Sequence, residues 1–477
     1  MIMFRGQTVA TVARVVAVSL LFAIASNCSS SSSSPATGAD ADADASTPVS
    51  SVDNTPTILP DGGTLMWVVA WGNSPENANT STANPGGSEQ TFRMLFRPTI
   101  DGTQARVRLS NAFGTTPITI GAARLASSPG DNAVVDPAND LPLTFGGAAN
   151  VTIQPGQEIA SDQVGVPITA GAPYAVTIYV QGTFPSLTQH ASLVTTNYAT
   201  PVGAGDKTAD ATGSAFTVTN TEWFLLSGVD VYGAYQGTVA LLGSSSIDGA
   251  NSDRGDTATY PTAQAGVAGQ DFDRPSDWLG RQLIAAGYRL GVLNAGTLGD
   301  AAASNGNNGG IDRIQRDVLA QPNVKTVIIY LGGIDLRSGD CKNAPDVEGS
   351  LTELVAKANA AGVRVILATI PPSTYCSTTT AANYGPLPST AAPYAGDLNP
   401  GPENAGSTQR RLVNDWIRTT ATSLPGVVGI ADFDKALASP DHPDFILPNL
   451  NSGDNYHPNG TGYGVQSAAI PLGAILP

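Results

Sequence analysis

From about Leu65 to Tyr235, apolar and polar residues alternate with a period of two. Phe92, Met94 and Phe96 alternate with Arg93, Leu95 and Arg97; Val107 and Leu109 with Arg106 and Arg108; Val176, Ile178 and Val180 with Thr177 and Tyr179. Such segments present one face to a core. Asp101-Gly102, Phe113-Gly114, Pro155-Gly156 and Gly171-Ala172-Pro173 separate them. The pattern predicts short antiparallel strands in a β-sandwich, with no helix among them.

After Gly237 the pattern changes. Val239 to Leu242, Leu290 to Leu293, Val324 to Leu331, Val363 to Ile370 and Val427 to Ile430 are apolar throughout, as strands covered on both faces must be. Helical spacing lies between them: Trp278 to Ala286 before Gly287, and Ile311, Ile314, Val318 and Leu319 on one face. A further helix is expected to open at Ser350, with Glu353 completing a capping box, and to stop at Gly362. These units predict an α/β fold, a five-stranded parallel sheet with helices on both faces, preceded by the antiparallel β-sandwich. Ligands of such sheets bind beyond the carboxyl ends of the strands. The expected division is a leader over 1–28, a Ser/Ala/Asp-rich linker over 29–60, the sandwich over 61–236 and the α/β domain over 237–477.

Composition places the chain outside the cytosol. Arg5 and Arg14 precede an apolar stretch from Val15 to Ala25, too short to span a bilayer and typical of a secretory signal peptide. The Ser29 to Ser34 run and the Ala/Asp alternation after it cannot bury a core and read as a tether. Cys28 admits two readings. Diacylation there gives an outer-membrane or surface lipoprotein; cleavage after Ala23-Ile24-Ala25 gives a secreted protein. Cys341 and Cys376 then remain as a pair suited to a disulfide in an oxidising compartment. Three cysteines and three histidines do not make a structural zinc site. The formal net charge of -16 argues against nucleic acid or an anionic membrane surface as a partner, since either requires a basic face.

Two segments carry chemistry. Gly243-Ser244-Ser245-Ser246-Ile247-Asp248-Gly249 leaves the first parallel strand, and Asp454-Asn455-Tyr456-His457-Pro458-Asn459-Gly460 lies near the C-terminus. A serine on a glycine-flanked turn, with an Asp and a His on one late loop, supplies a hydroxyl nucleophile, its base and the group that orients the base. At this point residues 237–477 resemble the SGNH (GDSL-type) hydrolase family. The resemblance sets the register so that Ser245 is the nucleophile, His457 the base and Asp454 its orienter. Asn294-Ala295-Gly296-Thr297-Leu298-Gly299-Asp300 resembles the second block, which implies the N–H groups of Gly299 and Ser245 as oxyanion donors. Arg106 to Gly114 and Leu143 to Gly147 are similar to the sandwich preceding this domain in a two-domain bacterial branch.

The chain departs from that family twice. Ser244 stands where an Asp usually precedes the nucleophile, and Gly332-Gly333-Ile334-Asp335 stands for Gly-x-Asn-Asp, so an alkyl group replaces the third donor. Asp335 and Asp248 are read as loop and turn residues, His190 and His442 as surface or turn residues, and Trp67, Trp71 and Trp223 as core rather than a sugar-binding face. The expected function is a serine ester hydrolase without metal or organic cofactor, acting on acylated carbohydrate or short-chain esters. The alternative is a glycan-binding surface protein whose hydrolase domain has lost turnover.

Overall fold

The computed structural model describes residues 52–77, 84–191, 194–252, 272–306, 308–337, 341–373, 405–440, 443–454 and 456–477. Thr47–Pro477 form one compact unit. Its N-terminal half is antiparallel, with long strands β1 (Thr64–Gly72), β2 (Gly87–Phe96), β3 (Gly102–Ser110), β4 (Ile118–Ser127), β5 (Tyr174–Phe184) and β6 (Leu226–Gly233). In one sheet β6 lies between β1 and β3; in the other β5 lies between β2 and β4. Alternate residues of both sheets, among them Val68, Phe92, Val107, Ile120, Ile178 and Val229, share one core. Burying each such side chain is worth roughly 1.5–3 kcal/mol, so a one-residue slip in register would be costly. Trp71 and Trp223 belong to this core, 5.0 Å apart, while Trp67 stacks on Tyr232 and under Arg106.

Some intervening residues of these strands are buried too. Arg93 is fully enclosed, donates to Thr177 at 2.9 Å and lies over the Phe216 ring. Arg108 bridges Asp230 and Glu158 and reaches Gln321 in the other half of the unit. The end of the segment read as a linker is ordered as well. Thr57–Ile58 pair with β1, and the Asp53 carbonyl accepts from Arg106 at 2.7 Å.

The C-terminal half is built on β7 (Gly237–Gly243), β8 (Leu290–Gly296), β9 (Val324–Tyr330), β10 (Arg364–Ala368) and β11 (Val427–Ala431). All are parallel, in the order β8-β7-β9-β10-β11. The helices are α1 (Ser245–Asp248), α2 (Pro275–Ala285), α3 (Gly310–Ile314), α4 (Ala344–Ala360), α5 (Ala405–Thr419), α6 (Phe433–Leu437) and α7 (Gly460–Ala468). Ala240 and Leu242 face one core with Ile314, Leu351, Leu354 and Val413; Val239 and Leu241 face another with Leu279, Leu283 and Ile470. Helices therefore cover both faces, which is why the strands are apolar throughout.

α4 begins six residues before the expected start. Asn343 caps it by accepting from Asp346 N–H at 3.1 Å, and Pro345 follows in the first turn. Ser350 lies inside the helix with its hydroxyl on the Asp346 carbonyl, and Glu353 pairs with Lys357 instead of closing a capping box.

The two halves are joined by backbone contact. The Thr238 hydroxyl accepts from Val69 N–H at 3.1 Å and donates to the Pro322 carbonyl, while Thr99 accepts from Val292 N–H at 3.1 Å. A Cβ on Gly291 would stand 2.1 Å from the Val69 carbonyl, so only glycine admits this approach of β1 to β8.

Candidate active site

The turn expected to carry the nucleophile leaves β7, at the point where strand order reverses between β8 and β9. Ser245 is the first residue of α1 and is 5% exposed. Ser244, at the cap position, makes no side-chain cap bond. A Cβ on Gly296 would lie 2.2 Å from Asp248 N, so the end of β8 abuts the turn directly.

The late loop is fixed by Asp454. Its Oδ1 accepts from the backbone N–H of Tyr456 and of His457, both at 2.8 Å, and from the Ser452 hydroxyl at 3.1 Å. Its Oδ2 accepts from His457 Nδ1 at 2.6 Å and from Asn251 Nδ2 at 2.9 Å. Burial opposes the charge, but the bonds from His457 and Tyr456 outweigh it and hold this carboxyl well below the usual carboxylate range. With Nδ1–H given to Asp454, Nε2 carries the lone pair, and it lies 2.8 Å from Ser245 Oγ. The residues expected as nucleophile, base and orienter thus meet, across a sequence separation of 212 residues. Asn459 secures the far end of the loop by capping α7 at Gly462 N–H, 2.8 Å away.

Gly299 lies on the loop leaving β8 with φ +71, in the left-handed region that glycine favours. Its N–H and that of Ser245 donate to no other group among the described residues. Asp335, from the loop after β9, accepts from Ala302 and Ala303 N–H at 2.7 and 3.1 Å, so it braces the Gly299 loop. Ile334 occupies the same loop as Asp335, and its side chain offers no donor.

His190 is not a surface residue. It is 1% exposed, and the edge strand Gln189–Ala191 delivers it to the nucleophile turn. Its Nδ1 donates to the Ser74 carbonyl at 2.7 Å and its Nε2 to Asp248 at 3.0 Å, with Glu76 at 3.8 Å and the Trp223 ring stacked alongside. Two acceptors on two ring nitrogens require the imidazolium. Burial alone would expel that proton; Asp248, Glu76 and Ser74 outweigh it and push the pKa up to about 9. Asp248 is accordingly the anionic partner of His190 and not merely a turn residue.

Arg313, fully buried, donates to the carbonyls of Gly243 and Ala295, clamping the ends of β7 and β8 together. It also pairs with Asp300 and Asp317, and burial still pushes Asp300 up to about 7 against the pull of Arg313. Asn251, His190 and Arg313 were not found from sequence. The Arg313/Asp317 spacing has the form of an exposed helical pair, and the one signal against that reading was its place among Ile311, Ile314 and Val318. His442 and Cys376 lie outside the described residues, whereas Cys341 is disulfide-bonded. Among the described residues no group of three or more His, Cys, Asp or Glu is arranged to hold a metal, and no helix is long and apolar enough to cross a membrane. A cavity of about 220 Å³ opens in the antiparallel half between Gln90, Phe184 and Phe224, with no triad residue in its lining.

Residues 241–465 match the model of the GDSL-like Lipase/Acylhydrolase family. The chain is similar to the structure of Est24, a carbohydrate acetylesterase from Sinorhizobium meliloti, at 14% identity over 50% of this chain and 100% of that one, with a TM-score of 0.35. It is similar to a lipase/acylhydrolase from Enterococcus faecalis at 18% identity, over 49% and 93%, with a TM-score of 0.31. A GDSL-like lipase from Bacteroides thetaiotaomicron VPI-5482 is 15% identical over 50% and 87%, with a TM-score of 0.32. No curated protein matches the chain. Over residues 241–465, behind a largely β region, the chain is a GDSL-like lipase/acylhydrolase domain.

Proposed function

We propose that this protein is an exported carboxylic ester hydrolase working through Ser245, His457 and Asp454. The observation that carries the reading is the relay itself: Ser245 Oγ 2.8 Å from His457 Nε2, and His457 Nδ1 2.6 Å from Asp454. His457 takes the Ser245 proton as Oγ bonds to the acyl carbon, and the N–H groups of Ser245 and Gly299 stabilise the resulting oxyanion. Collapse breaks the ester C–O bond, and the departing alcohol takes the proton from His457. Water, deprotonated by the same imidazole, then attacks the acyl-serine; Oγ recovers the proton and the acid leaves. This sequence draws on no group beyond side chains, backbone and water.

Acylated carbohydrates are the first substrates to test, with short-chain esters second; the resemblance to carbohydrate esterases supports that order. Export rests on the leader read in residues 1–28. Purified protein is incubated with p-nitrophenyl acetate and butyrate beside Ser245→Ala, and a fluorophosphonate probe maps the reactive residue. Turnover lost in Ser245→Ala, with the probe on Ser245, is the expected result. Equal rates in both proteins and no labelling would leave the glycan-binding alternative, which Ile334 favours.

A further inference from the structure

The helix that begins with Ser245, α1, is a single turn. The N–H groups of Ile247 and Asp248 donate to the Ser244 carbonyl at 2.9 and 3.1 Å, and those of Gly249 and Ala250 to the Ser245 carbonyl at 3.0 and 2.9 Å. So short a helix has no stability of its own, and its direction is set by what holds its ends. At the far end His190 Nε2 donates to Asp248 at 3.0 Å. Just before the near end Arg313 Nη2 donates to the Gly243 carbonyl at 2.7 Å. Ser74, fully buried in the antiparallel half, bonds to both supports: its carbonyl accepts from His190 Nδ1 at 2.7 Å and its hydroxyl from Arg313 Nη1 at 3.2 Å. From β8, Asn294 adds one more bond, to the Ile247 carbonyl at 2.8 Å. The mount of His190 is itself braced. Glu76 and Gln189 exchange backbone bonds at 2.6 and 3.3 Å, the Glu76 carboxylate accepts from Ala191 N–H at 3.2 Å, and Gln189–Ala191 pair with Glu222–Phe224.

We infer that His190 is a positioning residue for Ser245: through Asp248 it sets the direction of α1, so that the antiparallel half holds the Ser245 hydroxyl against His457. The inference rests on the esterase reading above. At 1% exposure His190 meets no substrate, so it acts only through the turn. Ser245 supplies both the attacking oxygen and one oxyanion N–H, and tilting α1 displaces the two together. A displacement of about 1 Å at reacting atoms costs about 10²-fold in rate. The loss falls on kcat, since the bond is far from whatever binds the rest of the ester. A contact that merely glued the two halves would lower unfolding stability and leave the turnover of folded molecules unchanged.

The test uses the full-length protein: wild type, His190→Leu, His190→Gln, Asp248→Ala and His190→Leu/Asp248→Ala, with Ser245→Ala as the control. Turnover of p-nitrophenyl acetate and the rate of fluorophosphonate labelling are both expressed per folded molecule, with the folded fraction taken from tryptophan fluorescence. His190→Leu should lower both rates by about 10²-fold with KM within about threefold of wild type. His190→Gln, whose amide N–H can still reach Asp248, should recover about tenfold of that loss. Asp248→Ala cuts the same bond from the other side and leaves His190 its Glu76 counter-charge, so it gives the reading if His190→Leu fails to fold. The double variant should be no slower than the worse single one. A folded His190→Leu or Asp248→Ala with Ser245-dependent kcat within about threefold of wild type overturns this inference alone. So do losses that multiply in the double variant, or a glutamine that recovers nothing. A rate that survives Ser245→Ala overturns the esterase reading and this inference with it.

Discussion

Replacing His190 by alanine removes the cation between the antiparallel half and the Ser245 turn. Asp248 and Glu76, both poorly accessible, would then share an emptied site with no positive charge between them. Breaking a buried pair on one side typically costs about 3–5 kcal/mol, because the remaining charge is stranded. The pH dependence gives a second reading. The folded state holds the His190 proton up to about pH 9, whereas an unfolded histidine releases it near 6.5. Between those values the folded state binds more protons, so this contribution is complete below about pH 6.5 and is lost as pH rises through about 9, to a total of about 3 kcal/mol. Urea unfolding followed by tryptophan fluorescence suits the case, since Trp223 stacks on the imidazole. The expected result is a wild type that loses stability relative to His190→Ala across that window. A variant within about 1 kcal/mol of wild type at pH 6, or two parallel pH profiles, would refute the imidazolium assignment.

Asp454→Asn should lower kcat by about three to four orders of magnitude with KM nearly constant, because an amide facing Nδ1 favours the imidazole tautomer with its hydrogen on Nε2; stopped-flow ester hydrolysis measures it. The same carboxyl, held below its ordinary range, contributes stability that is complete above pH 3.8 and lost as acidification passes its folded pKa, so acid unfolding should begin at higher pH in Asp454→Asn. Arg313→Leu strands Asp300, leaves Asp317 to Arg316 alone and unclamps β7 from β8, which should cost about 3–5 kcal/mol in urea and reduce fluorophosphonate labelling of Ser245. If Cys28 is the lipid anchor, Cys28→Ser abolishes palmitate incorporation and moves the protein from the membrane fraction to the medium; an unchanged distribution means that cleavage removes it.

The parallel sheet was legible because its strands are enclosed on both sides, and the five apolar runs coincide with β7 to β11 within a few residues. The late loop was legible because it is local: Asp454 and His457 lie three residues apart, and the bonds that orient them run within that span. The start of α4 was misplaced because Ser350 and Glu353 imitate a cap that Asn343 supplies, and Pro345 was the overlooked signal. Long-range partners were illegible for a plainer reason. Nothing near His190 in the chain foretells Asp248, 58 residues on, because the pairing arises only when an edge strand of one half abuts the first turn of the other. Arg93 and Arg108 were likewise hidden, since strand periodicity assigns them a face without saying what covers it.

The Gly291 approach bears on how this protein could be re-engineered. A cut near residue 236 would look natural on a diagram, yet it would strip β1 from the outer strand of the parallel sheet and expose its ladder to other chains. Module shuffling that keeps residues 237–477 and discards what precedes them would therefore trade a folded unit for a precipitate, unless a substitute covering were supplied along that flank.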